Sequence, residues 1–448
     1  MRIRHSAVGF AWAAALILAA PAIPTALAAS APKESWIGAW GFVPTPLPPG
    51  LTPLPTVPPA TLADAPLGSA PPSAVPAGPP PGALLLDNPG NVPVAIADSD
   101  PSNVTLRQLV RVSVAGKQIR LRFSNEGGSD VLKLGSVHVG IAGPDGSIIA
   151  GSDHAVTFNG NANVIIPASA PLLSDPVDMK VDALQKLLIS IHVPGVLGRT
   201  GHSLYQYVSP GDVSASAQMP AQRIMRLPAL VTQLEVDPVS ANAVVVTFGD
   251  SITEGAASTN NAFRGWPDRL AERLAAAKSK WSVVNAGIGG NRLLRYGTGP
   301  NALARLDRDV FGVAGVKAII LLEGINDIGQ GFKTTGVQDP VSLEALIAAD
   351  KQIIARAHAH GVKVIGALLT PYQGAGYASP AGEQVRTGLN NWIKTSGAFD
   401  GVVDFATPTA DPANPLTFRA DFNLRDKLHP NDAGYQAMAD AIDLSLLK

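Results

Sequence analysis

Cysteine is absent from all 448 residues. That excludes disulfides, a cysteine metal site, a thiol nucleophile and a lipoprotein anchor, which is attached through a cysteine. Charge is also sparse: Asp, Glu, Lys and Arg make up 15% of the chain and the formal net charge is −1. With no Lys/Arg cluster there is no electrostatic footprint for nucleic acid or for an anionic membrane, and neither is expected as a partner. The chain has no P-loop Gly-Lys-Ser/Thr and no repeat of fixed period. Past residue 28 no apolar run approaches the ~20 residues of a membrane span.

What the chain does hold is apolar residues, 46% of the total. They are enough for a sizeable core, and the length leaves room for two domains at roughly one per 150 residues. The first residues read as a signal peptide over 1–28: Arg2, Arg4 and His5, an Ala-rich run to Ala20, and an A-x-A site at Ala26-Leu27-Ala28. Pro21 and Pro24 interrupt the run before it could span a membrane, so the expectation is export to the periplasm or the medium, without a membrane anchor. Between Pro44 and Pro101 lie 18 of the 39 prolines. Such a stretch cannot supply regular backbone donors and is expected to be extended or irregular. The apolar "SWIGAWGF" before it, Ser35 to Phe42, reads as a strand docked on a domain, with Trp36 and Trp40 as core residues. Residues 29–103 thus hold one strand and an irregular segment.

From Val104 to Val236 apolar residues recur with period two. "VRVSV" and "IRLRF" flank Ala115-Gly116-Lys117-Gln118 and predict a β-hairpin. "SVHVGIA", "AVTFNG", "NVIIP" and "LLISIHV" add short strands, and the spacing predicts an antiparallel β-sandwich over 104–236. His138, His154, His192 and His202 are scattered through it and read as surface or core residues, not metal ligands.

From Ala243 to Lys448 strands alternate with helical stretches. The strands are Ala243–Phe248, Ser282–Ala286, Lys317–Leu322, Val362–Leu369 and Val402–Phe405. In "WPDRLAERLAAA", Trp266, Leu270, Leu274 and Ala277 share one face. A second helix ends at Gly361, and a last one starts at Pro430-Asn431-Asp432. The pattern is α/β: a parallel sheet between helices, with active-site loops at the strands' C-terminal edge.

At that edge four polar positions can work together. In "AVVVTFGDSITEG", Gly249 allows the reversal that sets Ser251 at a strand end, where a nucleophile would stand, with Asp250 bracing the turn. Its base would be His429 in "RDKLHPNDAGY", with Asp426 three residues earlier to hold the other ring nitrogen. His358 and His360 are two apart on one helix and read as surface residues. Donors for a developing oxyanion would be the Ser251 amide, a backbone N–H in "NAGIGGNR" and the Asn326 side chain in "LLEGINDIG". Gly287-Ile288-Gly289 does not continue as a dinucleotide fingerprint, since the third glycine would fall at Arg292. Thr253, two residues after Ser251, breaks the G-x-S-x-G elbow of other serine hydrolases.

In this order "GDSITEG", "NAGIGGN", "GIND" and "DKLHP" resemble the four blocks of the SGNH hydrolases, the GDSL-type esterases and lipases. The resemblance covers Ala243 to Lys448, with Ile252 in place of the family's leucine. It implies Ser251, Asp426 and His429 as the triad and Ser251, Gly290 and Asn326 as the oxyanion hole. It implies a flavodoxin-like five-stranded sheet of order 2-1-3-4-5, and no metal or cofactor. Upstream, "LRQLVRVSVAGKQIRLRFSN" resembles a secreted, arylesterase-like subgroup in which a β-sandwich precedes the catalytic domain. The reaction expected is two-step hydrolysis of carboxylic esters, of short acyl groups such as acetyl on polysaccharide. The alternatives are a lipase, with Trp266, Phe332, Tyr372 and Tyr377 lining an acyl groove, and a non-catalytic carbohydrate-binding protein that works through its sandwich.

Overall fold

Residues 35–45, 102–197, 202–336 and 338–448 are described by a computed structural model of the protein. The signal peptide expected over 1–28 and the proline-rich stretch from Pro46 to Pro101 lie outside the described residues.

The Val- and Ile-rich segments of the second half form five parallel strands: β1 (Ala243–Gly249), β2 (Trp281–Gly287), β3 (Val316–Leu322), β4 (Lys363–Ala367) and β5 (Gly401–Val403). Their order in the sheet is β2-β1-β3-β4-β5. β1 is buried at every position. It is central and covered on both faces, which is why its sequence is a continuous apolar run instead of an alternation. Its helices include α1 (Ser251–Glu254), α2 (Trp266–Ala276), α3 (Ile325–Phe332), α4 (Leu343–Ala359), α5 (Pro380–Thr395) and α6 (Asp432–Asp440). α2 packs with α6, and α4 with α5. The chain passes from β1 to its neighbour β2 on one side, then back past β1 to β3 on the other. The loops leaving β1, β2 and β3 therefore meet at the point where strand order reverses, and they carry Ser251, Gly290 and Asn326.

The first half forms two larger antiparallel sheets and a two-stranded one, Leu132–Leu134 with Val164–Ile166. One has four strands, in the order Ile37–Gly41, Val231–Pro238, Gly116–Ser124, Pro171–Leu173. The other has six, in the order Arg223–Pro228, Ser203–Pro210, Ser102–Arg111, Lys186–Val196, Val137–Ile141, His154–Val156. The hairpin expected around Ala115–Gln118 is not formed. Ser102–Arg111 pairs with Lys186–Val196 and Ser203–Pro210, whereas Gly116–Ser124 pairs with Val231–Pro238 in the other sheet. Residues 112–115 instead cross between sheets, with the Val112 N–H donating to Gln185 O and the Ser113 N–H to Ala39 O. Period-two alternation says which face each strand buries, and it says nothing of the strand's partner.

The outer edge of β2 is covered by this first half. The Ser282 hydroxyl donates to Gly38 O at 2.6 Å, and the Val283 N–H to the Ser113 hydroxyl at 3.1 Å. Arg111 reaches Glu272 on α2 at 2.7 Å. Gly38 and Gly41 are needed here, because a Cβ on either would meet a Val284 methyl at 3.0 Å and 2.5 Å. An edge strand that would otherwise offer unpaired backbone groups is thereby closed.

Candidate active site

β1 ends in Gly249, and Asp250 then caps α1: its Oδ1 accepts from the Ile252 N–H at 2.9 Å. Burial pushes the Asp250 carboxyl up to about 7. Its place is under the turn, bracing it, as read from the sequence. Ser251, the next residue, is 8% exposed, with its hydroxyl at the open edge of the sheet.

The Ser251 Oγ lies 2.9 Å from His429 Nε2, and His429 Nδ1 lies 2.6 Å from Asp426 Oδ2. The other Asp426 oxygen accepts from the backbone N–H groups of Leu428 and His429 at 3.0 and 2.9 Å. One carboxylate thus shapes the loop with one oxygen and orients the ring with the other. Burial pushes Asp426 up, but the His429 ring and these N–H donors outweigh it and hold the carboxyl below the usual aspartate value. Arg425 and Lys427, on either side, have φ of +70° and +57°. For residues with a Cβ that conformation costs about 1–2 kcal/mol each, strain of the kind found where a loop is bent to serve a site.

Gly290 follows β2 with φ +73°, and a Cβ there would lie 2.8 Å from Thr298 Oγ1. Asn326, on the first turn of α3, is held at both ends of its amide. Its Nδ2 donates to Asn291 O at 2.9 Å, and its Oδ1 accepts from the Tyr377 hydroxyl at 3.2 Å. A carbonyl can only accept, so the Asn291 contact fixes which end of the amide is nitrogen, and that bond uses one of its two N–H groups. Asp327 then takes the Leu293 and Leu294 N–H groups at 2.6 and 3.0 Å, tying α3 to the loop after β2.

Several contributors were not singled out from the sequence. Arg305 is fully buried and donates to Gly249 O, Ala286 O and Asn291 Oδ1 at 2.9, 2.8 and 2.9 Å, locking the ends of β1 and β2 to the Gly290 loop. Its one signal is an arginine on the buried face of the short helix Ala302–Leu306. Of the four aromatic groove candidates, Trp266 and Tyr372 are enclosed in the core at 0% exposure, Trp266 against Phe405, and Phe332 is half-buried. Only Tyr377 is placed at the site, through Asn326. His138 pairs with Asp153, His192 with Asp212, and His358 with Asp400. His154 is half-buried on the edge strand His154–Val156, and His360 stacks on Phe311. His202 is buried against Glu254. Among the described residues no three His, Cys, Asp or Glu side chains converge as a metal-binding set. Among them, too, no helix is long and apolar enough to cross a membrane.

A search of curated proteins finds no match. Among solved structures the chain is similar to a GDSL-like lipase from Bacteroides thetaiotaomicron, at 19% identity over 47% of this chain and 90% of that one, TM-score 0.36. It is similar also to the psychrotrophic esterase EstA from Pseudoalteromonas sp., at 18% over 44% and 93%, TM-score 0.34. A third is an acetyl xylan esterase, AlAXEase, at 19% over 44% and 96%, TM-score 0.35. The GDSL-like Lipase/Acylhydrolase family matches residues 247–437, a span that runs from the end of β1 through His429 into α6. Residues 247–437 are therefore a GDSL-like lipase/acylhydrolase domain, of the SGNH type, and this domain is that of a carboxylic ester hydrolase.

Proposed function

We propose that Ser251 is the nucleophile of a two-step acyl transfer, with His429 as its base and Asp426 orienting the ring. The observation that carries this is the Ser251–His429–Asp426 chain at 2.9 and 2.6 Å. His429 takes the hydroxyl proton as Ser251 attacks the ester carbonyl. The oxyanion is held by the Ser251 and Gly290 N–H groups and the Asn326 amide; His429 returns the proton to the leaving alcohol, and water then releases the acid. The first proton transfer, from Ser251 to His429, is between groups already in hydrogen-bond reach.

The substrates in this reading are esters of short acyl groups, acetyl above all, on polysaccharide outside the cytoplasm. Two observations support it. Trp266 and Tyr372, which a long acyl chain could have lain along, are closed into the core, and the first 28 residues read as an export signal. Hydrolysis of p-nitrophenyl acetate and octanoate by the same preparation tests the acyl preference. A kcat/KM favouring acetate by about 10-fold or more is expected, since each methylene accommodated or refused is worth ~1 kcal/mol or more. A preference for octanoate would replace this reading with that of a lipid acylhydrolase. Release of acetate from acetylated xylan, absent in Ser251→Ala, tests the polymer.

A further inference from the structure

We infer that His202 is a positioning residue for ester hydrolysis, reaching from the sandwich to fix Glu254 and, through it, the Gly289–Gly290 turn that carries an oxyanion donor. This rests on the reading of Ser251 and Gly290 given above.

His202 stands immediately before the strand Ser203–Pro210 and is 3% exposed. Its Nδ1 lies 2.7 Å from Val43 O and its Nε2 lies 2.9 Å from Glu254 Oε1, while the ring stacks on Phe42 at 4.2 Å. Both ring nitrogens thus face acceptors held by the fold, and the ring's position is set at two points. Glu254 closes α1, three residues after the nucleophile. Its carboxylate lies against Gly289, whose N–H is one of the groups that favour its charged form. Contact between α1 and the loop after β2 is close enough that a Cβ on Gly289 would lie 2.7 Å from Glu254 Oε2, and one on Gly287 would lie 2.2 Å from Glu254 N. Burial pushes the Glu254 carboxyl up, but His202, Arg226 and the Gly289 N–H together hold it below the ordinary glutamate value, so it stays an ionised acceptor. The chain Val43–His202–Glu254–Gly289 thus crosses from the first half of the molecule to the residue preceding Gly290. The sandwich therefore helps to build the catalytic centre, and is more than an appended binding module.

Asparagine and glutamine separate the two ends of the ring, because their amide nitrogens stand near the positions of Nδ1 and Nε2. Full-length His202→Asn keeps a donor for Val43 and loses Glu254; His202→Gln keeps a donor for Glu254. With p-nitrophenyl acetate, His202→Asn and Glu254→Ala are each expected to lower kcat by about 10-fold with KM within about two-fold. That is less than the 10²–10³ for outright loss of an oxyanion donor, because the donor is displaced and still present. The double variant is expected to fall no further than the worse single one, and His202→Gln to recover most of the loss, with thermal melting confirming the fold throughout. The inference is overturned if both single variants keep kcat within about two-fold of wild type, if their losses multiply, or if His202→Asn and His202→Gln lose kcat equally. Should His202→Asn not fold, Glu254→Ala decides by the same kcat criterion. Ser251→Ala in the same assay separates the two levels: residual turnover there would overturn the site itself, whereas its loss beside an unaffected His202→Asn overturns only the role of the sandwich.

Discussion

Replacing Tyr377 with phenylalanine removes one hydroxyl and leaves the ring, which lies against the backbone of α3 so closely that a Cβ on Gly329 would sit 1.5 Å from it. Packing is therefore kept and a single contact is lost, the 3.2 Å hydrogen bond to Asn326 Oδ1. Burial pushes the Tyr377 hydroxyl well above 10, so it remains a donor at any working pH. A neutral hydrogen bond of this length contributes about 1 kcal/mol net. If that energy serves to hold the amide where its nitrogen meets the oxyanion, its loss raises the barrier by the same amount, about 5-fold in kcat. Binding of the ground-state ester does not draw on it, so KM is expected to stay within about two-fold. Steady-state kinetics on p-nitrophenyl acetate, with melting as the fold control, read both parameters. A raised KM with unchanged kcat would refute the reasoning, since it would make Tyr377 a wall of the acyl site and leave Asn326 oriented by Asn291 alone.

Asp426→Asn takes away the acceptor that fixes the His429 tautomer, and kcat on the same ester is expected to fall by roughly 10²–10⁴ with the loop retained. Gly290→Ala places a Cβ 2.8 Å from Thr298 Oγ1 at φ +73°; turnover is expected to drop by at least about 10-fold, with a modest loss of melting temperature. Asp350 on α4 is buried, and that burial pushes its carboxyl up to about 8. Because the folded value is raised, wild-type stability should decline as pH rises from the ordinary carboxylate range through about 8, by up to ~1.4 kcal/mol per pH unit. Asp350→Asn should flatten that decline, melting higher than wild type at pH 9 and not at pH 5.

The parts of this molecule that could be read from the sequence are those whose physics is local. β1, β3 and β4 announce themselves as apolar runs because nearly all their positions are buried. The Asp426–His429 relation lies within three residues; Gly290 marks a left-handed turn, and Gly249 a close approach where a Cβ would lie 2.2 Å from Leu322 O. Pairing in the antiparallel sheets of the first half was not readable: Ser102–Arg111 and Gly116–Ser124 look like hairpin arms, yet they serve different sheets because residues 112–115 find partners at Ala39 and Gln185. The supporting polar groups were hidden for the same reason. Arg305 meets Gly249, Tyr377 meets Asn326, and His202 meets Glu254, each across more than fifty residues of chain. A lone arginine, tyrosine or histidine carries no sign of such a partner until the fold brings it near.

Covalent capture tests the role of Ser251 most directly. Full-length protein is treated with diethyl p-nitrophenyl phosphate, released nitrophenol is counted against enzyme, and the modified peptide is sequenced by mass spectrometry. The expected result is one diethylphosphoryl group per chain on Ser251, loss of esterase activity in step with labelling, and neither label nor turnover in Ser251→Ala. Full esterase activity in a protein labelled elsewhere, or in Ser251→Ala itself, would contradict nucleophilic catalysis by this serine.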